Sequence, residues 1–149
     1  LLAHKIKFML YNRTYTNYDQ DQEINNIVGK PFSFFQSLKL RGIGSSRLII
    51  ESVSNNFTEI VNDVADINYC NIELRPNGII LNVTQQLNLF SWVIPYYKLV
   101  VFDSETLSIH AGGGYIKIVK NKNYSNNKNF LKKMYELKTK YSAENNLAV

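Results

Sequence analysis

A chain of 149 residues, 45% hydrophobic and 19% charged, is sized for one globular domain and lies well away from disordered compositions. The single cysteine, Cys70, excludes an intrachain disulfide and any zinc site built on paired thiolates, and no apolar run is long enough to cross a bilayer as a helix. The net charge of +5 is unevenly held: residues 1–113 carry nine Lys/Arg against ten Asp/Glu, whereas residues 114–149 carry eight Lys against two Glu.

The first residues, Leu1 to Leu10, place His4, Lys5 and Lys7 inside an apolar stretch, the reverse of a secretory signal, so a cytoplasmic protein is expected. Lys5–Thr16 suits either a strand or a helix, and Asn17–Asn26 is polar and acidic. Pro31–Leu40 is aromatic and amphipathic and predicts a helix with Pro31 in its first turn. Gly42 and Gly44 then separate this part from the rest of the chain. Residues 1–45 therefore read as an N-terminal extension that packs on, or pairs with, a main domain of residues 46–143, with 144–149 as a tail.

From Arg47 the pattern is a run of short strands. They are predicted at Arg47–Val53, Phe57–Asn62, Cys70–Arg75, Gly78–Val83, Leu87–Val93, Tyr96–Phe102, Thr106–Ala111 and Tyr115–Lys120. Pro76-Asn77-Gly78 is the strongest hairpin signal. Tyr96–Phe102, nearly continuous in apolar residues, is expected to be central. Ten Tyr and eight Phe also favour strands. The period then changes: Phe130, Leu131, Met134, Leu137 and Tyr141 form one helical stripe, predicting a helix from Ser125 to about Tyr141 with Ser125 or Asn126 as its cap. The fold class expected is mainly β, a bent antiparallel sheet or barrel capped by a C-terminal helix.

That layout resembles pleckstrin-homology-like domains, in which a bent seven-stranded sheet is plugged at one open end by the terminal helix. Four segments sharpen the likeness to a bacterial family with this fold and no assigned activity. They are IELRPNGIILN, FSWVIPYYKL, LSIHAGGGYIKI and NKNFLKKMYELK, with Ile94, Pro95, Tyr96 and Leu99 in the matching motif. The resemblance spans roughly two thirds of the chain and implies fold, not chemistry. Phosphoinositide-binding members carry a Lys/Arg cluster between their first two strands; here only Arg47 stands there, with Glu51. Heavy use of Asn, Ile, Lys, Tyr and Phe also suggests an AT-rich bacterial genome.

No residue set reads as an active site, and no catalytic residue, cofactor or metal is expected. Gly112-Gly113-Gly114 precedes a strand, so it reads as a hairpin turn and not a phosphate cradle. Cys70 shares a strand face with Ile72 and Leu74, where a thiol is inert core, so pairing it with His110 or His4 as nucleophile and base is disfavoured. Glu51, Glu59 and Glu73 read as solvated positions, and Trp92 as core. The sequons at Asn12, Asn56, Asn82 and Asn123 are what 19 asparagines produce by chance.

The candidate anion- or membrane-binding set is Lys117, Lys120, Lys122, Lys128, Lys132 and Lys133, set against the plain alternative of a solvated helix face. Two partner classes are expected. The first is a protein or peptide bound along an open sheet edge by a non-enzymatic scaffold module. The second is an anionic membrane surface, met by the lysines with Phe32, Phe34 and Phe35 as an apolar foot. Nucleic acid is disfavoured, because no aromatic strand carries interleaved basic residues. An exposed edge strand also allows self-association.

Overall fold

The computed structural model describes residues 9–61 and 67–146. Eight strands form one antiparallel sheet: β1 (Leu10–Asn12), β2 (Leu48–Val53), β3 (Asn68–Arg75), β4 (Gly78–Gln85), β5 (Asn88–Pro95), β6 (Val100–Asp103), β7 (Thr106–Ala111) and β8 (Gly114–Val119). Their spatial order is β1-β5-β4-β3-β2-β8-β7-β6, so two meanders meet where β2 pairs with β8, and the sheet does not close. The fold is mainly β with a C-terminal helix, as the sequence predicts.

Alternation along the strands sorts the side chains onto two faces. The concave face carries Leu48, Cys70, Ile72, Leu74, Ile79, Leu81, Trp92, Ile94, Leu107, Ile109, Ile116 and Ile118, all buried. Helix α4 (Lys128–Glu144) closes this core with Phe130, Leu131 and Met134. Ahead of it, the short helix α3 (Lys122–Asn126) is capped by Asn121, whose side chain accepts from the Tyr124 amide. The helical stripe was legible, but its start was not. Asn127 occupies the junction, and its side chain is used elsewhere: Oδ1 accepts from the Ser46 amide at 3.0 Å, and Nδ2 donates to the Asn123 carbonyl at 2.8 Å.

Two predicted strands take other forms. Phe57–Asn62 is replaced by a 3₁₀ turn over Asn55–Ile60. Ser54 turns the chain out of the sheet at the end of β2: its amide donates to the Tyr115 carbonyl, its hydroxyl accepts from the Tyr115 amide, and its carbonyl accepts from the Phe57 amide. Phe57 and Ile60, three residues apart, then point together into the core, a spacing that a three-residue turn satisfies and a strand does not. Tyr96–Phe102 is likewise no central strand. The Pro95 carbonyl accepts from the Lys98 and Leu99 amides, forming a turn that buries Tyr96 and Leu99, and only Val100–Asp103 continues as a strand, at the sheet edge. The apolar run belongs to two environments, neither of them the middle of the sheet.

Residues 10–45 add a strand and two helices. β1 pairs with β5, Leu10 opposite Trp92. Helix α1 (Tyr18–Val28) forms over the polar stretch after Asn17, whose side chain caps the Gln20 amide. It lays Ile24 and Val28 on the convex face, where they meet Tyr11, Ile80 and Val93. The Arg75 guanidinium fastens the end of α1: it donates to the Gly29 carbonyl at 2.8 Å and to Asn25 Oδ1 at 2.9 Å, and pairs with Glu73. Glu73 is therefore half-buried and paired, not the solvated residue expected. Helix α2 (Phe34–Lys39) starts at Ser33, in a reciprocal capping box with Gln36, so Pro31 lies before the helix and outside its first turn.

Candidate functional site

The six lysines named from the sequence are engaged by the fold to different degrees. Lys120, at the end of β8, pairs with Asp103 of β6, whose carboxylate holds its ammonium above the ordinary range. Lys117 lies over the Tyr115 ring, 5.5 Å from its centroid. Lys133 is half-buried and donates to the carbonyls of Leu40, Arg41 and Gly42 at 2.6, 3.3 and 2.9 Å. Burial, and then Arg41, hold its ammonium below the usual lysine range. Lys122, Lys128 and Lys132 remain exposed along α3 and the first turns of α4. Three of the six are thus engaged by the fold, and three face water.

Other candidates separate in the same way. Cys70 is buried on the concave face, where desolvation pushes its thiol up to about 12, while His110 stands on the convex face. The two cannot share a proton. His4 lies outside the described residues. Among the described residues no three His, Cys, Asp or Glu side chains come together in a way that would hold a metal ion, and no helix is long and apolar enough to cross a membrane. Gly112 and Gly113 make the two-residue turn between β7 and β8, both with positive φ, and Ala111 pairs with Gly114 across it. Trp92 is core, its ring 4.5 Å from that of Phe57.

What the sequence did not single out is the outer face of β6, β7 and β8. Among the described residues β6 pairs only with β7 and is one of the two sheet edges. Its outward side chains, Val100 and Phe102, are 47% and 54% exposed. Register places Val100 opposite His110 and Phe102 opposite Ser108, and β7 in turn sets His110 opposite Tyr115 and Ser108 opposite Lys117. Phe102 meets His110 edge-on at 4.9 Å, and His110 lies 5.4 Å from Tyr115. Burial against these rings, reinforced by Lys117, lowers the imidazole pKa, so His110 is held toward its neutral form. The result is an aromatic strip ending on a strand that, among the described residues, has a ladder partner on one side, with exposed Tyr97 and Lys98 just before it in the chain. The only signal in the sequence was the apolar content of Tyr96–Phe102, which burial in a central strand explains equally well.

A second concavity lies on the convex face of β3 and β4. It is lined by Arg47, Tyr69, Asn71, Asn82 and Thr84, with the Arg47 guanidinium 4.4 Å above the Tyr69 ring. Its asparagines are bonded to each other, and Asn82 also accepts from Ser91 at 2.6 Å, so the polar groups serve the sheet.

Compared with family models, with curated proteins and with solved structures, the chain matches none.

Proposed function

We propose that this chain is a non-enzymatic binding module of pleckstrin-homology-like architecture, acting in the bacterial cytoplasm and taking an extended segment of a protein partner along β6. Several features support the architecture. The seven strands from β2 to β8 run as two meanders, in the order β5-β4-β3-β2-β8-β7-β6, and the last helix seals the concave core. The binding reading rests on one observation: among the described residues β6 is an edge strand, and its outward side chains Val100 and Phe102 are exposed. Natural sheets usually blunt such an edge with proline, an unpaired lysine or a bulge. Here the edge carries Val100 and Phe102 instead, with Asp103 already neutralised by Lys120. An added strand would take main-chain bonds from β6, while its alternate apolar side chains rest beside Val100, Phe102 and His110.

Selection from a random library of short peptides tests this. Selected peptides should alternate apolar and polar residues and should slow amide exchange at residues 100–103. The Phe102→Lys variant should weaken them about tenfold, the loss of one apolar anchor at an edge. Binders that leave exchange in β6 unchanged, or a library that yields no binders, would overturn the proposal.

A further inference from the structure

Helix α2 has six residues and buries none of them. A helix this short does not hold itself together in water, and an amphipathic surface helix is normally kept by the face it buries. This one is kept by its ends. Ser33 and Gln36 cap its start reciprocally. At its end the Leu40 amide donates to the Gln36 carbonyl, the Gly42 amide to the Ser37 carbonyl, and Lys133 of α4 gathers the carbonyls of Leu40, Arg41 and Gly42. Phe32, just ahead of the helix, is packed partly into the main core. What this scaffold displays is Phe34, Phe35 and Leu38, exposed to 72%, 75% and 60%. The two phenyl rings stack edge-on, 5.8 Å apart, and Leu38 lies on the same side of the helix at the spacings of three and four residues.

Along the chain the charge on either side of this patch is of one sign. Between Glu23 and Glu51 there is no acidic residue, and the cations there are Lys30, Lys39, Arg41 and Arg47. The acidic residues of the N-terminal region, Asp19, Asp21 and Glu23, all belong to the early turns of α1, where Asp21 pairs with Arg13 and Glu23 accepts from the Tyr11 hydroxyl. Aromatic and leucine side chains held out on a fixed helix, with exposed Lys30, Lys39 and Arg41 in the same stretch of chain and no carboxylate between them, match the interface of an anionic bilayer. There the apolar side chains enter below the headgroups, and the cations meet the phosphates.

We infer that α2 is a membrane-interface foot: Phe34, Phe35 and Leu38 insert into an anionic lipid surface, and Lys30, Lys39 and Arg41 hold the headgroups. This differs from an attachment through the lysines of β8 and α4, of which Lys117, Lys120 and Lys133 are engaged within the fold. It uses none of the residues of the β6 edge.

The test is co-sedimentation of the full chain with vesicles of phosphatidylcholine alone and of phosphatidylcholine with phosphatidylglycerol, each at low and high salt. Pelleting is expected only with the anionic vesicles and should fall steeply as salt rises. The double variant Phe34→Ser, Phe35→Ser should lower the pelleted fraction about tenfold while leaving the melting temperature unchanged, because neither ring is buried. A Phe35→Trp variant should shift its emission to the blue on anionic vesicles and be quenched by brominated lipid. Absence of pelleting would overturn the inference and leave an apolar protein groove as the occupant. Pelleting that survives the double variant but is lost in Lys122→Ala, Lys128→Ala, Lys132→Ala would overturn it in favour of the α4 lysines.

Discussion

The two faces of the sheet are finished in different ways. The concave face is one continuous core of side chains from β2 to β5, β7 and β8, sealed by α4 and by Phe57 and Ile60 of the 3₁₀ turn. On the convex face the buried apolar cluster of the described residues lies where α1 crosses β4 and β5, with Ile24 and Val28 on Tyr11, Ile80 and Val93. Beyond that contact the described residues form no second apolar cluster on it, and the aromatic strip of β6 to β8 lies on that part. Strands β4 and β5 serve both faces, which explains why Ile79-Ile80-Leu81 and Trp92-Val93-Ile94 read as unbroken apolar runs: alternate residues feed different cores. Coverage, and not strand composition, therefore decides which side of this sheet is left available for a partner.

Gly78 is where the two faces meet most tightly, and changing it tests their union most severely. A Cβ there would stand 2.3 Å from the Ile94 carbonyl oxygen and 2.6 Å from Val28 Cγ1. Both neighbours are fixed, one in β5 and one in α1. Gly78→Ala is expected to destabilise the chain by roughly 3–5 kcal/mol in a urea titration, at the upper end for a single substitution. A loss under about 1 kcal/mol would mean that α1 shifts freely on the sheet.

The unequal coverage is tested by truncating one anchor on each face. Trp92→Ala removes the largest concave side chain and its contact with Phe57, for a cost of about 3–5 kcal/mol. Ile24→Ala removes a convex contact made by a single helix and should cost about 2–3 kcal/mol. It should also speed amide exchange in α1 well before the sheet opens. Equal costs with one shared unfolding transition would show that the two cores act as one.

The smallest effect is expected from the aromatic strip. His110 has a folded pKa below its ordinary value, first through burial and then through Lys117. The unfolded chain therefore binds the extra proton more readily, so this contribution is fully present above the unfolded pKa, near 6.5, and is lost as pH falls from there through the lower folded pKa. His110→Gln should flatten the slope of stability between pH 7.5 and pH 5, and a thermal melt series across that range reads it. An unchanged slope would place the titration on other groups.

Much of the main sheet was legible in the chain. The alternation in Cys70–Arg75, the Pro76-Asn77-Gly78 turn and the glycines at 112–114 mark hairpins through local chemistry, and the helical stripe of Phe130, Leu131, Met134 and Leu137 marks α4. Helix α1 was not legible, because only Ile24, Ile27 and Val28 in it are apolar, and its stability comes from the Asn17 cap and the Arg75 clasp, with Arg75 lying 50 residues beyond Asn25. The lysine set was legible only as a composition. Nothing local says that Lys133 will turn to the carbonyls of Leu40, Arg41 and Gly42, or Lys120 to Asp103, since those partners arrive through long-range packing.

Local pattern in the chain was enough for the mainly β class, the hairpin turns and the closing helix, because side-chain period and turn geometry act over a few residues. Only tertiary packing made Val100–Asp103 an edge, turned Phe57 inward in a 3₁₀ turn, and chose which lysines and phenylalanines face water. Those properties depend on which distant strand or helix covers a given face, and the energy of that cover is shared among residues far apart in the chain.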